Sequence, residues 1–136
     1  MQRGETGMEI NEITGIIVDT GFMIHSTLGP GLLESAYESI FSFELIQRGL
    51  NVERQVPIPM IWKGLLIDEG FRADLIVEKQ VLVELKSVER VAPVHKKQVL
   101  TYLRITGLKV GLLINFGASY FKDGVSRIAN GLKDGI

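Results

Sequence analysis

The sequence predicts an α/β chain: a mixed sheet of four to five strands flanked by helices. Three observations predict it. Residues 9–28 and 32–48 carry apolar side chains at helical spacing. Strand-like runs with short turns follow, from Val52 to Ser87. A helical run and a strongly apolar strand then close the pattern, and strand–helix–strand in one sheet makes a right-handed parallel crossover. The expected sheet is an antiparallel meander plus one parallel strand.

In the first helix, Ile10, Ile13, Ile17, Ile24 and Leu28 make one apolar face, and Gly29-Pro30-Gly31 stops it. The second runs from Leu32 to about Arg48, with Gly49 as its stop. Its apolar set is wide: Leu32, Leu33, Ala36, Tyr37, Ile40, Phe41, Phe43 and Leu45. Such a helix is expected to be covered on more than one side. Val52–Trp62 reads as a strand. Pro57 and Pro59 remove two N–H groups from one of its edges, so it belongs at the sheet's edge. Lys63-Gly64 is a turn, and Leu65–Val77 and Val81–Ser87 complete the meander. Pro93 opens a helix over 94–106, Gly107 ends it, and Leu108–Phe116 is the crossover strand. Beyond Gly117, Asp123-Gly124 signals a turn, and Val125–Ala129 fits a last strand or a short helix.

The chain has 136 residues, which suits one domain over 9–136 behind a flexible polar tail, 1–8. Hydrophobic residues make up 46% and charged residues 23%, the composition of a globular protein. With no cysteine, disulfides, thiolate zinc sites and thiol nucleophiles are excluded. No apolar stretch is long enough to span a bilayer, and the start lacks an apolar signal core, so a cytoplasmic location is expected. Fifteen Lys and Arg against sixteen Asp and Glu give a net charge of −1, which argues against a basic nucleic-acid coat protein. A nuclease remains compatible, because acidic site residues lower net charge while a local basic rim still attracts phosphates.

The chemistry concentrates in Phe71–Lys86. If Glu78-Lys79-Gln80 is a three-residue loop, Val77 faces Val81, Ile76 faces Leu82, Asp74 faces Glu84 and Arg72 faces Lys86. Opposed residues share a sheet face, and period two adds Lys86 to the face of Glu84. Opposed carboxylates repel, and a divalent cation between them removes that cost. Oxygen ligands suit Mg²⁺ or Mn²⁺. A lysine beside such an ion can orient a water or stabilise a phosphate. The bland alternative is a solvated strand face, since Glu-x-Lys is common.

Other residues carry paired readings. Gln98 and Tyr102 lie four apart and share a helix face that His95 joins. Singly, they read as surface and half-buried core. Glu34, three residues after Gly31, fits a residue favoured by the helix start, with a second role if that end abuts the carboxylates. His25 reads as a helix-end residue. Arg90, Lys96, Lys97, Arg104 and Lys109 read as a solvated face or as a rim that meets a phosphate backbone.

Taken together, Gly31-x-x-Glu34-x-x-Tyr37, Arg72-Ala73-Asp74, Glu84-x-Lys86 and Gln98-x-x-x-Tyr102 resemble the PD-(D/E)XK nuclease superfamily. Within it, the chain is similar to the GxxExxY proteins, over roughly residues 10–117. Gln55-Val56-Pro57-Ile58 and Gly111–Gly117 resemble that group too, while Trp62 stands where it tends to have tyrosine. The resemblance implies a restriction-endonuclease-like core. It also implies that Asp74 and Glu84 bind Mg²⁺ or Mn²⁺, that Lys86 positions the attacking water, and that Glu34 helps hold metal or water. Gln98, Tyr102, His95, Tyr37, Arg72 and Lys97 are the residues expected to meet substrate. The expected activity is metal-dependent hydrolysis of nucleic-acid phosphodiesters, with DNA favoured over RNA. The competing expectations are a non-catalytic nucleic-acid- or protein-binding module and a nuclease subunit that needs a partner. A possible homodimer is also expected, with the apolar faces of Ile10–Leu28 and Leu32–Arg48 as candidate contact surfaces; the alternative is that both faces only cover the sheet of one monomer.

Overall fold

Helix α1, Ile10–Leu28, forms where the apolar spacing places it, and Gly29 at φ 70 ends it. The computed structural model describes residues 7–131. Ile13, Ile17 and Ile24 are buried, and Gly21 lets the Phe121 ring come so close that a Cβ would sit 2.6 Å from it. Helix α2, Glu34–Gln47, starts later than expected because Leu33 is extended, at φ −67 and ψ 152. Phe43 and Ile46 stay exposed, while α2 packs against both α1 and the sheet.

The two long strands expected between Val52 and Val77 each divide. The first gives β1, Val52–Pro57, and β2, Met60–Trp62; the second gives β3, Leu65–Ile67, and β4, Arg72–Val77. Pro57 and Pro59 interrupt one and Gly70, at φ 84, interrupts the other. β2 and β3 pair only with each other, as a separate hairpin around Lys63 and Gly64, both at positive φ. That hairpin leaves Ile61, Trp62, Leu65 and Leu66 exposed.

The main sheet adds β5, Val81–Lys86, β6, Val110–Asn115, and β7, Val125–Ala129, in the order β1-β4-β5-β6-β7. β1 is an edge strand, and Pro57 closes it. β5 and β6 are parallel and the other neighbours antiparallel. Helix α3, Pro93–Thr106, makes the crossover and ends at Gly107 in the left-handed region. Asp123-Gly124 lies in a short 3₁₀ turn, Phe121–Gly124, and Val125–Ala129 is a strand. The result is a restriction-endonuclease-like mixed sheet of five strands with helices on both faces.

Two cores follow from alternation. Val81, Val83 and Leu85 pack under α1 and α2 with Tyr37, Phe41 and Phe116. Leu82 and Leu113 pack under α3 with Val99, Tyr102 and Leu103. The α1 and α2 faces expected to serve a dimer are thus spent on the sheet: Ile13, Ile17, Ile24, Phe41 and Leu45 line its core.

The alternation breaks at one place. On β4, Leu75 and Val77 point to the α1–α2 core, yet Ala73 and Ile76 both belong to the α3 core. Across from them on β1, Gln55 takes φ 49, a costly conformation for a side-chain-bearing strand residue. The β1–β4 register runs through Arg54↔Leu75 and Val56↔Ala73, so Gln55 and Asp74 oppose each other at the break. Of the expected tail, residues 1–6 lie outside the described residues, while Met8 packs on the core and its carbonyl accepts from Gln80 Nε2 at 3.2 Å.

Candidate active site

The hairpin arithmetic around Glu78-Lys79-Gln80 is realised. Val77 pairs with Val81, Ile76 with Leu82 and Leu75 with Val83. Glu78 and Lys79 adopt left-handed φ of 54 and 55 to close the loop, and Gln80 N–H donates to the Val77 carbonyl. Glu78 is buried, and its carboxylate caps the Asn51 N–H and side-chain amide at 3.0 and 2.8 Å.

One step further the ladder changes character. Asp74 stands opposite Glu84, and side chains replace the backbone bonds. The Asp74 N–H donates to Glu84 Oε1 at 3.2 Å, and the Leu85 N–H donates to Asp74 Oδ2 at 2.8 Å. The two carboxyls are therefore locked side by side. Glu84 is only 6% exposed. Burial, and then the adjacent Asp74 charge, push its pKa up to about 8, while Lys86 pulls it down. Lys86 follows two residues along β5, half-buried, near enough to act on Glu84 but without a direct ion pair among the described residues.

Tyr102 comes from α3, on the sheet face of Leu82 and Leu113, close enough to feel both carboxyls. It is buried, and burial, then the Glu84 and Asp74 charges, raise its phenol further. Gln98 Nε2 donates to its hydroxyl at 3.1 Å, so the pair expected from spacing is formed. The Phe71 ring lies 6.2 Å from that of Tyr102.

The remaining expected residues fall into two sets. Arg72 and Lys97 are exposed; Arg72 Nη1 donates to the Gln55 carbonyl at 3.3 Å. His95 accepts the Ala92 N–H through Nδ1 at 3.2 Å, which makes it a local cap of α3. Tyr37 is fully buried. Its hydroxyl donates to the Gly29 carbonyl at 2.5 Å and accepts the Leu32 N–H at 3.3 Å, while its ring stacks on Phe116 at 4.3 Å. That environment corrects its expected contact with substrate: Tyr37 shapes the Gly29–Leu32 loop from inside. Glu34 is exposed at the start of α2. That start does abut the end of β5, because Ser87 Oγ donates to the Leu32 carbonyl at 2.6 Å. Even so, no group of three or more His, Asp or Glu side chains set to hold a metal ion is found among the described residues.

Two residues at the site had no role assigned from the sequence, although Gln55 stands in the Gln55–Ile58 match. Glu38 is 7% exposed, one turn beyond Glu34, and Gln55 Nε2 donates to its Oε1 at 2.5 Å and to Asp74 Oδ1 at 3.1 Å. Arg54 Nε donates to Glu38 Oε2 at 3.0 Å. The available signal was the i, i+4 spacing of Glu34 and Glu38, which puts both on one side of α2.

The connection after β5 is held by the end of β6. The Asn115 amide accepts from the N–H groups of Val88 and Gly117, both at 3.0 Å, and donates to the Val88 carbonyl at 2.8 Å. The site is thus two paired carboxyls and a lysine on the sheet, a tyrosine–glutamine pair above them, and a helix start at the rim.

No curated protein matches the chain. A solved structure, the "Crystal structure of SSO0001", is similar at 17% identity and a TM-score of 0.44, over 90% of this chain and 80% of that one. Over residues 11–128, which include every residue of the site just described, the sequence matches the PD-(D/E)XK nuclease superfamily, and the chain belongs to it.

Proposed function

We propose that the chain is a metal-dependent phosphodiesterase that cuts nucleic acid, DNA before RNA, at the Asp74–Glu84–Lys86 site. The observation behind this reading is the locked carboxyl pair, with Glu84 buried beside Asp74 at a cost that a cation would remove. The donor set fits Mg²⁺ or Mn²⁺. Mg²⁺ keeps several waters and is held by one or two carboxylates plus substrate phosphate, so a three-carboxylate cage is not required. Asp74 and Glu84 would hold the ion, and Glu34, at the rim, would act through water. When bound, the ion supplies charge neutralisation at the phosphate and a more acidic water.

The chain's own residues do the rest. Lys86 Nζ hydrogen-bonds the attacking water and stabilises the charge that develops on the phosphate oxygens. Tyr102, kept protonated by its surroundings, acts as a neutral donor to a phosphate oxygen, with Gln98 fixing its hydroxyl. Arg72 and Lys97, both exposed, meet the flanking backbone phosphates and so set register rather than sequence. We also assign the chain to the GxxExxY group, on Gly31-x-x-Glu34-x-x-Tyr37 with its partner motifs.

A panel of single-stranded, duplex, flap and junction substrates with Mg²⁺ or Mn²⁺ tests the reading. Asp74→Asn, Glu84→Gln and Lys86→Ala should each lower cleavage at least 10²-fold, the scale of losing one charge-stabilising group. Metal-dependent cleavage that survives all three would overturn it. The exposed apolar hairpin β2–β3 supports a second reading, a nuclease subunit whose partner covers that hairpin. Divalent binding by calorimetry with no cleavage of any substrate would favour it.

A further inference from the structure

We propose that Gln55 is a positioning residue that fixes the Asp74 carboxylate against Glu38. In a regular strand, neighbouring side chains point to opposite faces. Arg54 and Gln55 are neighbours on β1, yet both reach Glu38. The break that allows this is the φ of 49 at Gln55, opposite Asp74. A residue without a glycine's freedom holds a left-handed conformation in mid-strand, and its side chain spans two carboxylates.

The polarity of that contact is restrictive. An amide nitrogen carries two hydrogens, and Gln55 Nε2 has one for Glu38 Oε1 and one for Asp74 Oδ1. Turned over, the amide would aim its oxygen at two acceptors. Glu38 is itself fixed, because Arg54 pairs with its other oxygen at 3.0 Å and donates to Ser39 Oγ at 3.0 Å. The chain Arg54–Glu38–Gln55 therefore anchors Asp74 Oδ1 to α2. The Leu85 N–H anchors Oδ2 to β5 at 2.8 Å. With both oxygens tied, the carboxylate has one orientation before any ion or substrate arrives. This role rests on the nuclease reading for its purpose, though not for its geometry.

The test uses the full chain and two variants. Gln55→Leu removes the amide and keeps the bulk. Gln55→Asn keeps a residue that tolerates the left-handed backbone, but its amide is too short to span both carboxylates. Amide hydrogen exchange without metal reads the Leu85 N–H, and calorimetry reads Mg²⁺ affinity. In both variants the Leu85 amide should lose protection while Val83 keeps its own, and Mg²⁺ should bind about ten-fold more weakly or worse, the scale for losing a partner of a ligand. Unchanged Leu85 protection in Gln55→Asn overturns the inference, as does global loss of protection in both variants, which marks a structural role. If the parent chain binds no divalent ion, the nuclease reading fails, and Leu85 exchange alone decides for or against Gln55.

Discussion

Asp74 and Glu84 look equivalent in a motif but not in their surroundings. Asp74 accepts from the Leu85 N–H and the Gln55 amide, and it is partly exposed. Glu84 accepts from one N–H and is almost wholly buried. Repulsion alone would suggest that neutralising either one relaxes the metal-free protein. The hydrogen bonds say otherwise for Asp74. An asparagine there turns an NH₂ toward either the Leu85 N–H or the Gln55 amide, and one donor loses its acceptor. Asp74→Asn should therefore lower metal-free stability by about 1–3 kcal/mol, the cost of an unsatisfied group of this kind. Denaturant melts in EDTA measure it; a melt equal to or above that of the parent would show that repulsion outweighs the two bonds. This loss is separable from catalysis, because the variant should still fold.

At the scale of elements, the connection after β5 decides where Lys86 and Ser87 sit. Asn115 holds Val88 from two sides, and Gly117 lies so close that an added Cβ would meet the Val88 carbonyl oxygen at 2.2 Å. That atom is backbone, so it cannot rotate away. Gly117→Ala should cost about 1–3 kcal/mol as overpacking and reduce cleavage by moving the β5 exit. Gly15→Ala on α1 is the control, because a Cβ there meets nothing within 4 Å. Thermal melting and initial rates of both variants check this, and a Gly117→Ala protein as stable as the parent would dismiss the contact. The elements themselves were largely legible in the sequence, because their causes are local. Gly29, Gly107 and the isoleucines of α1 set helix bounds, and Pro57 closes the edge strand. The split of the two long strands was not, since it depends on β2 and β3 finding each other. The carboxyl pair was legible because a three-residue loop fixes register. Gln55 and Glu38 were not, because the sign of φ at residue 55 reflects tertiary contacts that a strand pattern conceals. The expected contact of Tyr37 with substrate failed for a related reason: its spacing from Glu34 says nothing of the Phe116 ring stacked on it.

For the whole molecule, the buried Glu84 couples stability to pH and metal. Its folded pKa of about 8 lies well above 4.5, the ordinary glutamate value expected in the unfolded chain. Between those values the native state keeps a proton that the unfolded state releases. Stability must then fall as pH rises through this window, and level off above it. The full penalty is on the order of 5 kcal/mol, from about 1.4 kcal/mol per pH unit of difference. A divalent ion favours the ionised pair, so its binding should release a proton below pH 8 and its stabilising effect should grow as pH rises. Melting temperatures from pH 5 to 9, in EDTA and in Mg²⁺, give the comparison. The parent in EDTA should lose stability across the window, and Mg²⁺ should restore most of it near pH 8. Glu84→Gln keeps an acceptor for the Asp74 N–H and a donor for the Asp74 carboxylate, yet has no proton to lose. Its metal-free melting temperature should stay nearly flat relative to the parent and exceed it at pH 8. Because other titrating groups are common to both proteins, the difference between the two profiles isolates Glu84. Parallel profiles would mean that another group carries the pH dependence and that burial of Glu84 imposes no such cost.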